Sequence, residues 1–193
     1  MFVLSFSQFL KLSGWEGNTL EESLLDLGAG DGEVTARLAK AYKRVYVTEV
    51  SNTMQNLLRN RGFEVLPIDT WFATRKFDTI SCLNVLDRCD KPLQLLKHIE
   101  SSLKPDGRIL LAMVLPFSPY VESGSKDHKP KELLPVKGSC FEEQVKSLVI
   151  DVFDPLGFEL ISWSRVPYLC EGDLNQSYYW LDDAVFLLKK KQL

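Results

Sequence analysis

The chain is poor in the side chains that bind metals. It has two histidines and four cysteines in 193 residues. Cys82, Cys89, Cys140 and Cys170 show no paired spacing, so they read as reduced core or near-core thiols and give no zinc pattern. Basic excess is also missing: 23 lysines and arginines against 26 acidic residues leave a net charge of −3, where a nucleic-acid surface calls for the opposite sign. No apolar run approaches the roughly 20 residues of a membrane span. The apolar start Met1-Phe2-Val3-Leu4-Ser5-Phe6 has neither the basic residues nor the length of a signal peptide. Internal repeats and low-complexity segments are absent. What remains is ordinary globular composition, 45% hydrophobic and 25% charged, on a chain long enough for one full core. We therefore expect a single domain over 1–193.

Within it, one stretch organises the rest. Leu24-Leu25-Asp26-Leu27 is a short apolar run closed by Gly28-Ala29-Gly30-Asp31-Gly32, and a helical pattern follows through Val34, Leu38 and Tyr42. Strand, glycine turn and helix is how an open α/β sheet builds a nucleotide crevice at the carboxyl ends of its strands. The dinucleotide fingerprint G-x-G-x-x-G would put its third glycine at Glu33. Here it falls at Gly32, and D-x-G-x-G-x-G resembles the first motif of the S-adenosylmethionine-dependent methyltransferases. That cofactor brings no phosphate, so an acid at Asp26 is tolerable near its cationic amino-acid end. The alternative is a Gly-rich turn that is merely a turn.

Downstream, strands and helices alternate. Lys43 to Val50 reads as a second strand ending in Glu49, about where an acid meets ribose hydroxyls, or else a surface glutamate. Ser51 caps a helix through Met54, Leu57 and Leu58, ended by Gly62. Phe63 to Pro67 is a brief third strand; Asp69 after it is either an adenine-edge contact or a solvated loop residue. Phe77 to Leu83 is near-continuously apolar, as a strand covered on both faces must be, and it delivers Asn84 and Asp87. Asp87 admits two readings, a site carboxylate or a cap and partner for Arg88. Asp90 is expected to cap the next helix, with Pro92 in its first turn and Leu93, Leu96, Ile99 and Leu103 as its buried stripe. His98 beside that stripe reads as structural.

Lys104-Pro105-Asp106-Gly107 turns into a fifth strand over Arg108 to Leu115. Pro116 to Gly138 then breaks the rhythm with four prolines and four lysines, too long for an idle connector. Ser139-Cys140-Phe141-Glu142 has the form of a capping box, opening a helix along Phe141, Val145, Leu148 and Val152. Phe158 to Ser164 and Asp183 to Leu188 read as two closing strands joined by a loop. Such a closing pair matches the antiparallel hairpin of methyltransferase sheets. The expected fold is α/β, Rossmann-like and seven-stranded, of the class I S-adenosylmethionine-dependent methyltransferases, mostly parallel with a C-terminal antiparallel hairpin.

Four motifs together, Leu25 to Thr35, Ser81 to Asp90, Leu115 to Glu122 and Pro167 to Asp173, resemble the DREV family, also called methyltransferase-like protein nine. The likeness runs from Met1-Phe2-Val3 to the final strand. It implies a protein-histidine methyltransferase that uses S-adenosyl-L-methionine, leaves S-adenosyl-L-homocysteine, and methylates Nπ of histidine in His-x-His motifs of proteins. By the same resemblance Asn84, Asp87 and Tyr179 lie at the target imidazole, and Asp26, Gly28, Gly30 and Glu49 at the cofactor. Asp69 stands where the family carries asparagine, and the family's membrane-proximal N-terminal part is not in this sequence. Tyr168 and Tyr120 are taken as substrate-side residues, on loops 165–182 and 116–138, with residues 1–22 as a cover segment. The implied compartment is endoplasmic reticulum or mitochondrion, otherwise cytoplasm, and no nucleic acid, metal or membrane-spanning segment is expected. Imidazole, with an unperturbed pKa of about 6.5, needs no strong base, so no enzyme group is expected to titrate near neutrality. Two rival classes stay open: a small-molecule methyltransferase with a closed lid in place of the acidic, aromatic rim of Tyr168, Glu171, Asp173, Tyr178 and Tyr179, and a non-catalytic cofactor-binding adaptor.

Overall fold

The computed structural model describes residues 3–121, 127–172, 174 and 176–191. The glycine turn follows from its strand: β1 (Glu21–Leu27) runs parallel to β2 (Tyr42–Thr48) on one side and β4 (Phe77–Leu83) on the other. β3 (Glu64–Val65) lies outside β2, and β5 (Leu103–Leu115) outside β4. β6 (Phe158–Glu171) and β7 (Tyr178–Lys190) form an antiparallel hairpin whose second strand inserts between β5 and the first. The order is β3-β2-β1-β4-β5-β7-β6. The chain reverses direction of growth between β1 and β4, which opens a crevice at their carboxyl ends.

Two apolar layers hold the sheet. One face carries Leu24, Leu110, Ala112, Val185 and Leu187 against α1 (Phe6–Ser13) and α2 (Glu33–Leu38). The expected cover segment is thus a real packing element, with Phe9 buried and set edge-on to Trp15 at 5.4 Å; Phe2 lies outside the described residues. A reciprocal Ser5–Gln8 box starts α1 and left-handed Gly14 stops it. The other face carries Leu25, Ile80, Ile109, Leu111 and Phe186 against α5 (Pro92–Ser102) and α6 (Phe141–Ser147). α3 (Asn52–Asn60), capped by Ser51 as expected, and the short α4 (Trp71–Thr74) complete the helices. His98 is stacked on Phe72 at 3.8 Å, the structural role assigned to it.

Several local expectations are corrected. Tyr42 is not on a helix: α2 ends at Leu38, a 3-10 turn covers Ala39–Ala41, and Tyr42 opens β2. Leu103 likewise belongs to β5, whose pairing with β4 shifts register between Phe77 and Thr79, so Lys104–Gly107 is an irregularity inside the strand. Asp90 does not cap α5. Its carboxylate accepts from the backbone and side chain of Lys131, while the carboxylate of Glu132 accepts from Gln94 N–H at 3.0 Å in the first turn of α5. The capping box at 139–142 does not form: Cys140 is the N-cap without a side-chain cap, and Glu143 accepts from both the backbone and the hydroxyl of Ser139. Beyond α6 the backbone widens into a π turn over Leu148–Phe153. Cys140 is exposed, not near-core. Most of the expected 165–182 loop is strand, because β6 and β7 extend past the end of β5 as a two-stranded ribbon.

Candidate active site and cofactor crevice

Three glycines give the turn after β1 its shape. Gly28, Gly30 and Gly32 have φ of 68°, 55° and 78°, a region that side chains disfavour. Gly28 and Ala29 N–H both donate to Thr48 O at 3.0 Å, fastening the turn to the end of β2. A Cβ on Gly30 would meet nothing within 4 Å, so this part of the turn borders open space. Beneath it Asp26 is buried, and its two oxygens accept from Thr35 Oγ1 at 2.5 Å and Ser81 Oγ at 2.7 Å. Burial pushes its carboxyl up to about 6 against the pull of those hydroxyls. Asp26 therefore ties β1, α2 and β4 together beneath the glycine turn.

Glu49 follows β2 and is also buried; Oε2 accepts from Gly30 N–H and Oε1 from Ser51 N–H, both at 2.9 Å. One carboxylate so joins the glycine turn to the start of α3. Val50 and Ile68, which sequence reasoning did not single out, are two apolar side chains left exposed after the adjacent strands β2 and β3. Asp69 lies next to Ile68 in an exposed turn.

Across the crevice, β4 is followed by Asn84, whose backbone adopts a left-handed φ of 55°. Asn84 and Asp87 are buried; burial raises the Asp87 carboxyl, with the Arg88 charge opposing. Residues 116–121 and 127–138 are tied to this stretch, through Tyr120 at Asp87 and Lys131 at Asp90. Tyr120 N–H donates to Asp87 O at 2.8 Å, and the Tyr120 ring stacks on His128 at 4.5 Å. Together Asp87, Arg88, Val114, Pro116, Ser118, Tyr120 and Leu181 line a cavity of about 230 Å³, with Tyr120 53% exposed. Glu122 and Asp173 lie outside the described residues.

The ribbon contributes a residue that the sequence reading missed. Asp183 on β7 is wholly buried, opposite Val114 and Val166, and accepts from Asn84 Nδ2 at 2.8 Å. Burial, with repulsion from Asp87 and Asp182, raises its carboxyl to about 7, against the Asn84 hydrogen bond. Tyr168 is also buried; burial raises its hydroxyl, which senses Asp183 and Arg88. It pairs with Leu181, two residues from Asp183. Tyr179 is half-buried four residues from Asp183, about 13 Å along an extended strand. By the alternation of β7, Tyr179, Leu181 and Asp183 face the same side of that strand.

Residues 1–190 match the family model of the DREV methyltransferases. A ubiquinone biosynthesis O-methyltransferase of Actinobacillus pleuropneumoniae serotype 7 (strain AP76) is 26% identical over 107 residues, 48% of this chain and 46% of that protein. The chain thus spans about half the length of that curated relative. Among solved structures, the 1,6-didemethyltoxoflavin-N1-methyltransferase of Burkholderia thailandensis, holding S-adenosylhomocysteine, superposes with a TM-score of 0.63 at 17% identity, covering 97% of this chain and 76% of that one. The [4+2]-cyclase SpnF superposes with a TM-score of 0.61 at 16% identity over 96% and 80% of the two chains, so the fold alone does not choose the chemistry. The glycine cradle, the acid at the end of β2 and a family match over nearly the whole length agree: the chain belongs to the DREV methyltransferase family, and its cofactor is S-adenosylmethionine.

Proposed function

We infer that this enzyme methylates Nπ of histidine within His-x-His segments of proteins. The observation that carries the reading is the buried acceptor set at the end of β4: Oδ1 of Asn84 and Oδ1 of Asp87 have no hydrogen-bond partner among the described residues. Buried acceptors without partners are costly, and a substrate N–H relieves that cost. Imidazole offers one N–H and one lone pair on opposite sides of a flat ring. A carboxylate that takes the N–H of the far nitrogen fixes the tautomer and aims the other nitrogen's lone pair. It also steadies the positive charge that grows on the ring during transfer.

In this assignment Asp87 holds the ring, Asn84 and Tyr179 complete the pocket, and Tyr120 and Tyr168 stand on the peptide side. Gly28 and Gly30 shape the turn that cradles the cofactor, Glu49 faces its ribose, and Val50, Ile68 and Asp69 border its adenine; Asp26 holds the turn from beneath. The cofactor supplies an activated methyl group on a sulfonium. A peptide substrate is favoured over a small molecule by the open side of the cavity, where the lining residue Tyr120 stands 53% exposed. Among the described residues no helix is long and apolar enough to cross a membrane. The test is tritiated cofactor with a His-Ala-His peptide and an Ala-Ala-Ala control. Label in both peptides, or in neither, rejects the assignment.

A further inference from the structure

Asp183 has no place in the transfer just described, yet its position is costly. It interrupts an inward row of Leu181, Val185 and Leu187 on β7 and reaches one partner, Asn84 Nδ2, at 2.8 Å. Its Oδ1 has no partner among the described residues. For packing alone, an apolar residue of similar volume serves at least as well as a buried charge. What only an acceptor at this place does is choose between the two faces of the Asn84 amide. The oxygen and nitrogen of an asparagine amide are nearly equal in shape and differ in hydrogen bonding. With Nδ2 held by a carboxylate, Oδ1 is turned away from it, and that Oδ1 is the buried, unpartnered acceptor noted above.

We propose that Asp183 is a positioning residue that locks the Asn84 amide with its oxygen toward the substrate, so that positions 84 and 87 present acceptors and no donor. This rests on the histidine reading of the site and gives it a reason for selectivity. A flipped amide would offer N–H groups to the lone pair that must attack the methyl group, and a lone pair engaged in a hydrogen bond is a poorer nucleophile. The lock keeps that lone pair free.

A double-mutant cycle tests it. Asn84→Gly accepts the positive φ and removes the amide. In the wild-type background Asp183→Asn should lower kcat on the His-Ala-His peptide by about ten- to a hundredfold with KM little changed, the scale of a misplaced positioning group. In the Asn84→Gly background the same change should cost less than about twofold. A full loss in both backgrounds overturns the proposal. Asp183→Ser replaces Asp183→Asn if the latter melts early or loses homocysteine-product binding. A readout independent of activity is the side-chain amide resonance of Asn84, identified by its loss in Asn84→Gly. It should shift as Asp183 titrates in the wild type and stand still in Asp183→Ser. The other groups facing Asp183 are Asp87 and Arg88 after β4, Asp182 on β7, and Tyr168 on β6. A shift that persists in Asp183→Ser belongs to one of them and removes the lock. A wild type inactive on histidine peptides defeats the substrate assignment alone, and the resonance still decides the lock.

Discussion

A Cβ placed on Gly28 would lie 2.8 Å from Cγ2 of Val85, so the glycine turn and the stretch after β4 are packed without slack. Gly28→Ala must push Val85 and adopt a left-handed backbone at φ 68°. Overpacking and the unfavourable φ each cost on the order of 1–2 kcal/mol. Gly28→Arg should abolish cofactor binding. Gly30→Ala, whose Cβ enters open space, should lose only the backbone share and stay within about tenfold of the wild type. Calorimetry with S-adenosylhomocysteine separates the two glycines; equal losses would refute the packing argument.

Glu49 spends both oxygens on backbone N–H groups, at Gly30 and Ser51. Glu49→Gln keeps one acceptor and turns an amide donor against the other N–H. A hydrogen bond to a charged acceptor is worth about 1.5–3 kcal/mol. Affinity for S-adenosylhomocysteine should therefore fall by about ten- to a hundredfold, with kcat at saturating cofactor much less affected. Fluorescence titration alongside saturated turnover checks the split.

Asp87→Asn preserves shape and replaces an acceptor-only group with one that also donates. Loss of a preorganised electrostatic partner typically costs on the order of a hundredfold or more in turnover. We expect that loss with near-normal cofactor binding, and with Nτ-methylhistidine appearing among the residual product. Mass spectrometry of a His-x-His peptide reads the position. Wild-type turnover giving Nπ product alone would assign ring orientation to another residue.

Stability should fall as pH rises through the weakly acidic range. Asp26 and Asp183 have folded-state pKa values raised to about 6 and about 7, above the ordinary 3.8. Between about pH 4 and pH 7 the folded protein holds more protons than the unfolded chain, so each pH step favours unfolding, and the decline levels off above pH 7. Asp183→Asn, which stays neutral, should flatten this decline, with the gain in Tm over wild type largest near pH 8. Thermal melts from pH 4.5 to 8.5 would show it; a wild-type Tm that climbs over that range contradicts the sign.

The rate should carry two ionisations. The peptide histidine must lose its proton, and Asp183, raised to about 7, holds the Asn84 amide in one orientation only once it has lost its own, because a protonated carboxyl also offers a donor to the amide oxygen. kcat/KM should rise more steeply than a single titration and flatten above about pH 7.5. In Asp183→Asn the profile should collapse to one titration at the free peptide's pKa.

How much of this was legible depended on whether a residue's surroundings are local in sequence. The β4 span Phe77–Leu83 was read to the residue because a strand covered on both faces is apolar throughout. Glycines 28, 30 and 32 announce a turn by their spacing alone. The ribbon was read short because its outer half, beyond the end of β5, has no apolar neighbour on one face and so loses the alternating signal. Asp182 and Asp183 look alike in sequence, yet Asp182 points outward to Arg165 at 2.6 Å while Asp183 is inside. The alternation Leu181-x-Asp183-x-Val185-x-Leu187 was the available sign, an acid in an inward row. Asp90 went astray because its partner, Lys131, is 41 residues away, on a segment whose path no local pattern reveals.

The order of strands bears on how the protein is made. β6 emerges from the ribosome before β7, yet β7 lies between it and β5. Until residues 178–190 are synthesised, β5 presents a bare edge through Ile109, Leu110, Leu111, Ala112 and Met113, all buried in the finished fold. An unpaired apolar edge is a template for pairing with another chain. A ribosome stalled between Glu171 and Tyr178 would therefore expose both an adhesive sheet and an incomplete catalytic pocket, since Asp183 travels on the strand that seals that edge.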